Sequence, residues 1–252
     1  MKIPRFPVLL AAWIMLFAPF LGGAREKPLW VAHRGANQEA DENTIKAYKI
    51  AAGYGVDFIE CDPRLTRDGI FISMHDPSVE RTTDGKGYVS EMTLSEIKSL
   101  KTKNGEPVPT LEEIFNFAKS AGVGVYLDTK GKDLVYLKQL TDFVEKSGME
   151  KRVIAGVWST RQLKWLNENQ PEMKTCISWP WPSNSLGKLK KLGADWVGTA
   201  VSLADKEMIN SAHKHGLKVI TLQINDPKTI SEKISLGIDA VQTDDPRLIK
   251  EK

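Results

Sequence analysis

The chain has 252 residues, 41% hydrophobic and 27% charged, a globular composition with apolar material for one large core or two small ones. Its formal net charge of +3 falls by two when Lys2 and Arg5 are set aside with the segment described next, and a body so near neutrality makes no case for a nucleic-acid partner. Two cysteines, Cys61 and Cys176, are no disulfide framework for a chain of this length.

Residues 1–24 stand apart. Lys2 and Arg5 precede an apolar run from Val8 to Phe20, followed by LGGA. A basic start, a short apolar stretch and a small-residue exit describe a secretory signal peptide, and the run is shorter than the roughly 20 residues that span a bilayer. Cleavage after Ala24 is expected, which makes the protein exported, periplasmic or secreted. No cysteine follows that point to take a lipid.

From residue 25 to 252 two patterns alternate, with no linker or composition shift to divide them. Strand-like runs are LWVAH (29–33), VDFIECD (56–62), IFISMH (70–75), GVYLD (124–128), RVIAGVW (152–158), TCISW (175–179), DWVGTA (195–200), KVITLQI (218–224) and DAVQT (239–243). Helix-like segments fall at 43–53, 110–121, 133–147, 160–169, 184–192, 204–215 and 227–236. Strands alternating with helices of this length indicate parallel βαβ units, and the repetition fits one (β/α)8 barrel of the TIM type.

Nine strands are one too many for that barrel. PRLTRDG, between Asp62 and Ile70, is too short for a parallel crossover, and Arg67-Asp68-Gly69 reads as a tight turn. Residues 56–75 are therefore expected to form a hairpin, with Glu60 opposite His75 if the turn centres between Arg67 and Asp68. ADENT offers Asp41 or Asn43 as N-cap of the next helix, and VPTLEEIF offers a capping box of Thr110 and Glu113. Residues 76–109 read as an excursion over one barrel face with a short helix near 93–100. Cys61 sits in an apolar strand and reads as a buried free thiol. The lysines of KLKK (188–191) read as a solvated helix face.

The chemistry-bearing residues gather at strand ends. Glu60 and Asp62, two apart, share one face, and adjacent buried carboxylates oppose each other's ionisation unless a cation joins them. With Asp128 at the end of another strand they make a site for a hard divalent ion, Mg²⁺ or Ca²⁺; solvated carboxylates at an open mouth are the alternative. His33 and His75 each end an apolar strand near these acids and suit general acid–base work. Arg34 offers a bidentate donor for an anion such as phosphate, and Lys130 follows Asp128 by the strand period. His213 and His215 lie near a helix end and read as structural. No nucleotide-type glycine loop is present, so ATP is not indicated.

The ordered pattern AHRG…ENT…ECDPRLTRDG…HDPSVERTTDGKG resembles the glycerophosphodiester phosphodiesterase family, and the resemblance extends through VPTLEEIF to GIDAVQTDDP. It implies a metal-dependent barrel enzyme that cleaves small-molecule glycerophosphodiesters to glycerol 3-phosphate and an alcohol. By resemblance Glu60, Asp62 and Asp128 are metal ligands and His33 and His75 the acid–base pair. Arg34 is then a phosphate clamp, Lys130 a charge stabiliser, and Asn43 a residue steadying the His33 loop. Asp41 stands where the family usually has proline, and Asp128 where glutamate is more frequent. Leu222-Gln223 replaces a Trp-Thr pair, and 76–109 is short for the family's insertion. Trp179 and Trp181, in SWPWPSN, are expected either in a proline-stiffened loop or as an aromatic wall for the alcohol or an acyl chain. The competing functions are a lysophospholipase D-type activity on lysophospholipids and a catalytically silent phosphodiester-binding relative.

Overall fold

The structure, a computed structural model, describes residues 27–178 and 185–250. Residues 1–24, expected to be a signal peptide, and Trp179 and Trp181 lie outside the described residues. In chain order come β1 (Leu29–Ala32), α1 (Ile45–Gly53), β2 (Phe58–Cys61), β3 (Pro63–Leu65), β4 (Phe71–Ser73), α2 (Leu94–Ser99), α3 (Leu111–Ala121) and β5 (Gly124–Asp128). There follow α4 (Leu134–Ser147), β6 (Val153–Val157), α5 (Thr160–Asn169), β7 (Lys174–Ser178), α6 (Leu186–Lys191), β8 (Trp196–Thr199), α7 (Lys206–Lys214), β9 (Lys218–Thr221), α8 (Pro227–Leu236) and β10 (Ala240–Thr243).

The parallel strands β1, β2 and β5 to β10 close into a barrel in that order, β10 pairing back to β1, while β3 and β4 form a separate antiparallel pair. The expected single barrel with an inserted hairpin is what the chain adopts. The hairpin register is one residue off the expectation: Pro63 faces Ser73 and Leu65 faces Phe71, which would set Cys61 rather than Glu60 opposite His75. The turn centres on Asp68, whose carboxylate accepts from Thr66 Oγ1 and the Leu94 amide, so the turn is tied to α2.

Local chemistry explains the helix limits. Thr110 and Glu113 form the expected capping box, Asp133, Ser159, Asp205 and Asp226 cap α4, α5, α7 and α8, and Pro227 opens α8. The N-cap of α1 is Thr44, not Asp41 or Asn43, because both of those side chains are engaged elsewhere. The excursion 76–109 packs Val79, Val89, Ile97 and Val108 against Ile72 and Met74 of the hairpin's second arm in a small separate core. Cys61 and Cys176 are buried free thiols.

Val31, Tyr126, Ile154, Cys176, Trp196, Ile220 and Ala240 pack together, with Phe58 against them, as the layer filling the barrel interior. The strand period then decides what lies above. Two residues further along these strands stand His33, Glu60, Asp128, Ser178, Leu222 and Gln242, and these line a cavity of about 170 Å³ at the C-terminal rim.

Candidate active site

The apolar strand β1 ends at a tight left-handed turn. Arg34 and Gly35 have φ of 56° and 86°. A Cβ on Gly35 would lie 2.7 Å from Ala47 Cβ and 2.8 Å from its carbonyl carbon, so only glycine lets the turn press against α1. The unfavourable Arg34 backbone is held from both sides: its N–H donates to Glu60 Oε2 at 2.7 Å, and its carbonyl accepts from Asn43 N at 2.9 Å. Asn43 also has positive φ, 57°. Its amide oxygen accepts from Tyr48 Oη and Ser73 Oγ, which aims its Nδ2 at Asp62 Oδ2, 2.7 Å away. Asn43 thus holds the His33 loop by its backbone and an acid by its side chain.

Glu60, Asp62 and Asp128 each present a carboxylate oxygen within 4.8 Å of the others, and the first two are 1% and 0% exposed. Lys130 Nζ lies 2.8 Å from Asp62 Oδ1 and 2.5 Å from Asp128 Oδ2. Burial opposes the Asp62 charge, yet Lys130, Asn43 and Arg34 together hold its carboxyl below the usual range. Burial depresses the Lys130 ammonium, and Asp62 and Asp128 more than restore it. Glu60 is only partly compensated: burial, then Asp62 and Asp128, push its carboxyl well above the ordinary value against the Lys130 charge and the Arg34 N–H. Three converging hard oxygen donors with one lysine among them fit a divalent cation of the Mg²⁺ or Ca²⁺ type.

Both histidines of the rim are anchored through Nδ1. His33 Nδ1 lies 2.6 Å from Asp244 Oδ1, and His75 Nδ1 lies 2.7 Å from Asp76 Oδ1. Each carboxyl stands at about 2. Burial opposes the Asp244 charge, but bonds from His33, Asn225 and Asn37 outweigh it; for Asp76 the bond from Arg81 leads. A carboxylate at Nδ1 favours the tautomer with its proton there and leaves Nε2 available as an acceptor. His33 Nε2 is 3.0 Å from Gln223 Nε2, which stands in the pair replacing Trp-Thr. By contrast His213 Nε2 bonds Asp239 Oδ2 away from this cavity.

The cavity brings together His33, Arg34, Glu60, His75, Asp128 and Lys130, while Asp62 and Asn43 back it. Three contributors went unmarked in the sequence. Asp244 follows Gln242 by the strand period of two, a signal the acid-rich TDDP obscured. Gln223 stood out only as a departure. Trp158, 55% exposed in residue terms, ends the β6 run and donates its indole N–H to Asp128 Oδ1 at 3.0 Å.

The sequence model of the glycerophosphoryl diester phosphodiesterase family matches residues 33–248. A glycerophosphodiester phosphodiesterase of Caldanaerobacter subterraneus is 29% identical over 239 residues, 88% of this chain and 96% of that protein. A solved glycerophosphodiester phosphodiesterase of Agrobacterium tumefaciens superposes with a TM-score of 0.79 at 26% identity, covering 89% of this chain and 100% of that one. A phosphodiesterase of Oleispira antarctica, solved with the product sn-glycerol-3-phosphate, gives 0.80 at 26% identity over 89% of this chain and 96% of that one. The rim chemistry and these likenesses agree, and the chain belongs to the glycerophosphoryl diester phosphodiesterase family.

Proposed function

We propose that this protein hydrolyses glycerophosphodiesters to glycerol 3-phosphate and the free alcohol, with His33 and His75 as the acid–base pair. The observation that carries the proposal is the convergence, around one cavity, of three carboxylates, the Arg34 guanidinium and two imidazoles each anchored at Nδ1. The product-bound relative at 26% identity supports the choice of substrate class.

Glu60, Asp62 and Asp128 would hold the divalent cation, which when bound stabilises charge on the phosphoryl oxygens and lowers the pKa of a hydroxyl beside it. Arg34, with one N–H on Glu42 at 3.1 Å, retains donors for a phosphoryl oxygen, and Lys130 adds a second positive charge. One imidazole Nε2 accepts the proton of a substrate glycerol hydroxyl as its oxygen attacks phosphorus. The other protonates the departing alcohol oxygen as the P–O bond breaks. Water then opens the resulting cyclic phosphate with the proton transfers reversed, giving glycerol 3-phosphate. Export with cleavage after Ala24 belongs to the same proposal and rests on the composition of residues 1–24.

A second reading, cleavage of lysophospholipids, is favoured by the exposed Trp158 and by Leu222 in the cavity wall. The adjoining cleft of about 410 Å³ is instead lined by Asn37, Asp41, Glu42, Arg81, Lys103 and Asp244, a surface suited to a small polar alcohol. Turnover of glycerophosphocholine and lysophosphatidylcholine by the metal-loaded protein separates the two. Higher kcat/KM on glycerophosphocholine is expected, and a clear preference for the lipid would overturn the choice.

A further inference from the structure

Arg81 lies in the 76–109 excursion and reaches back to the turn after β1. Its Nη1 and Nη2 donate to Glu42 Oε2 and Oε1 at 2.8 and 2.7 Å, a bidentate fork, and its Nε donates to Asp76 Oδ2. Both acids also hold a rim residue. Glu42 Oε1 accepts from Arg34 Nη1 at 3.1 Å, and Asp76 Oδ1 bonds His75 Nδ1 at 2.7 Å. One continuous line of bonds therefore runs Arg34–Glu42–Arg81–Asp76–His75 and joins two loops that share no strand pairing.

The energetics favour a real coupling over an incidental surface pair. Exposed ion pairs are worth little because two long side chains must be held for a weak gain. Here one planar cation satisfies three oxygens on two acids, and each acid is already fixed by a second partner. Despite its burial, the Glu42 carboxyl is held below the ordinary range by Arg81 and Arg34. A lysine ammonium is a point charge and cannot reproduce the fork on Glu42 while reaching Asp76. The Arg81 side chain is 45% exposed, so its removal opens no core cavity.

We infer that Arg81 is a positioning residue that sets Arg34 and His75 in one fixed geometry across the mouth of the site. The inference rests on the roles proposed for Arg34 and His75 in phosphodiester hydrolysis. Asn43–Ser73 and Asp41–Asn104 still join the two parts of the chain without Arg81, but among the described residues no other cation sets the Arg34 guanidinium and the His75 ring through their acids. Both substrate affinity and turnover should then suffer, since small misplacements of reacting groups are costly.

The test compares wild type, Arg81→Ala and Arg81→Lys on glycerophosphocholine, with urea midpoints recorded for each. Arg81→Ala should raise KM and lower kcat by about tenfold each, added guanidinium ion should restore part of both, and the urea midpoint should hold. Arg81→Lys should shift both parameters in the same direction. A turnover-free readout accompanies it: NMR signals of the Arg34 Nε–H and the His75 ring. Arg81→Ala should move both, Glu42→Gln mainly the first, and Asp76→Asn mainly the second. Wild-type turnover tests the functional reading separately, because the NMR pattern holds whether or not this substrate is cleaved. Unchanged kinetics and signals would overturn the inference, as would a loss that follows a lowered urea midpoint without guanidinium rescue. Should Arg81→Ala fail to fold, Arg81→Lys decides: wild-type values of KM, kcat and both signals would overturn the positioning role.

Discussion

His33 Nδ1 and Asp244 Oδ1, 211 residues apart, meet at 2.6 Å where the first and last barrel strands lie side by side. Asn37 and Asn225 hold the same carboxylate, so Asp244 is itself fixed. Under the proposed mechanism it would keep the proton on Nδ1 and stabilise the positive charge that develops when Nε2 takes a proton. Asp244→Asn, nearly the same shape, should lower kcat by about a hundredfold or more with little change in KM. Steady-state kinetics on glycerophosphocholine check this, and an unchanged kcat would detach Asp244 from the chemistry.

The same carboxyl links folding stability to pH. Its folded pKa of about 2 lies below the ordinary 3.8, so it contributes stability above roughly pH 4 that is lost as pH falls through 2. Asp76, also at about 2, behaves alike. Urea midpoints measured from pH 5 to 2 should fall steeply for the wild type and less steeply for Asp244→Asn. Parallel curves would show that the ionised Asp244 carboxylate adds no pH-linked stability.

Divalent cations should stabilise the fold directly. Glu60 is buried beside two other acids and its charge is only partly offset by Lys130 and the Arg34 N–H, so an ion that joins the three acids favours the native state by mass action. The melting temperature of EDTA-treated protein should rise when Mg²⁺ or Ca²⁺ is added, and Glu60→Gln should blunt the rise. Identical melting curves with and without either ion would refute the metal assignment.

Trp158 holds Asp128, one methylene shorter than the glutamate expected there from the resemblance. Its indole N–H fixes Asp128 Oδ1 while Lys130 takes Oδ2, and partners of this kind commonly change metal affinity by 10–100-fold. Trp158→Phe keeps the ring and removes the donor. Calorimetric titration should show about tenfold weaker metal binding, whereas wild-type affinity would assign the indole to another purpose.

The barrel was legible because its signals are local: alternation within each strand, an N-cap such as Thr110 before a helix, a hairpin turn too short for a crossover. The failures arose where several side chains compete. Asp41, Asn43 and Thr44 are all good caps, and only contacts with Asn104 and Asp62 decide that Thr44 takes the helix. The hairpin slipped by one residue because Asp68 ties its turn to α2, a contact invisible in the turn's own residues. At the site, the acids and histidines showed themselves by type and position at strand ends. Asp244, Trp158 and Gln223 did not, since each acts through a partner on another strand.

The most direct measurement is phosphorus NMR of the metal-loaded protein incubated with glycerophosphocholine, alongside EDTA-treated protein and His33→Ala. Glycerol 3-phosphate should accumulate with wild type and fail to appear in both controls. Metal-loaded protein that leaves glycerophosphocholine and bis-p-nitrophenyl phosphate intact would contradict the proposed hydrolysis.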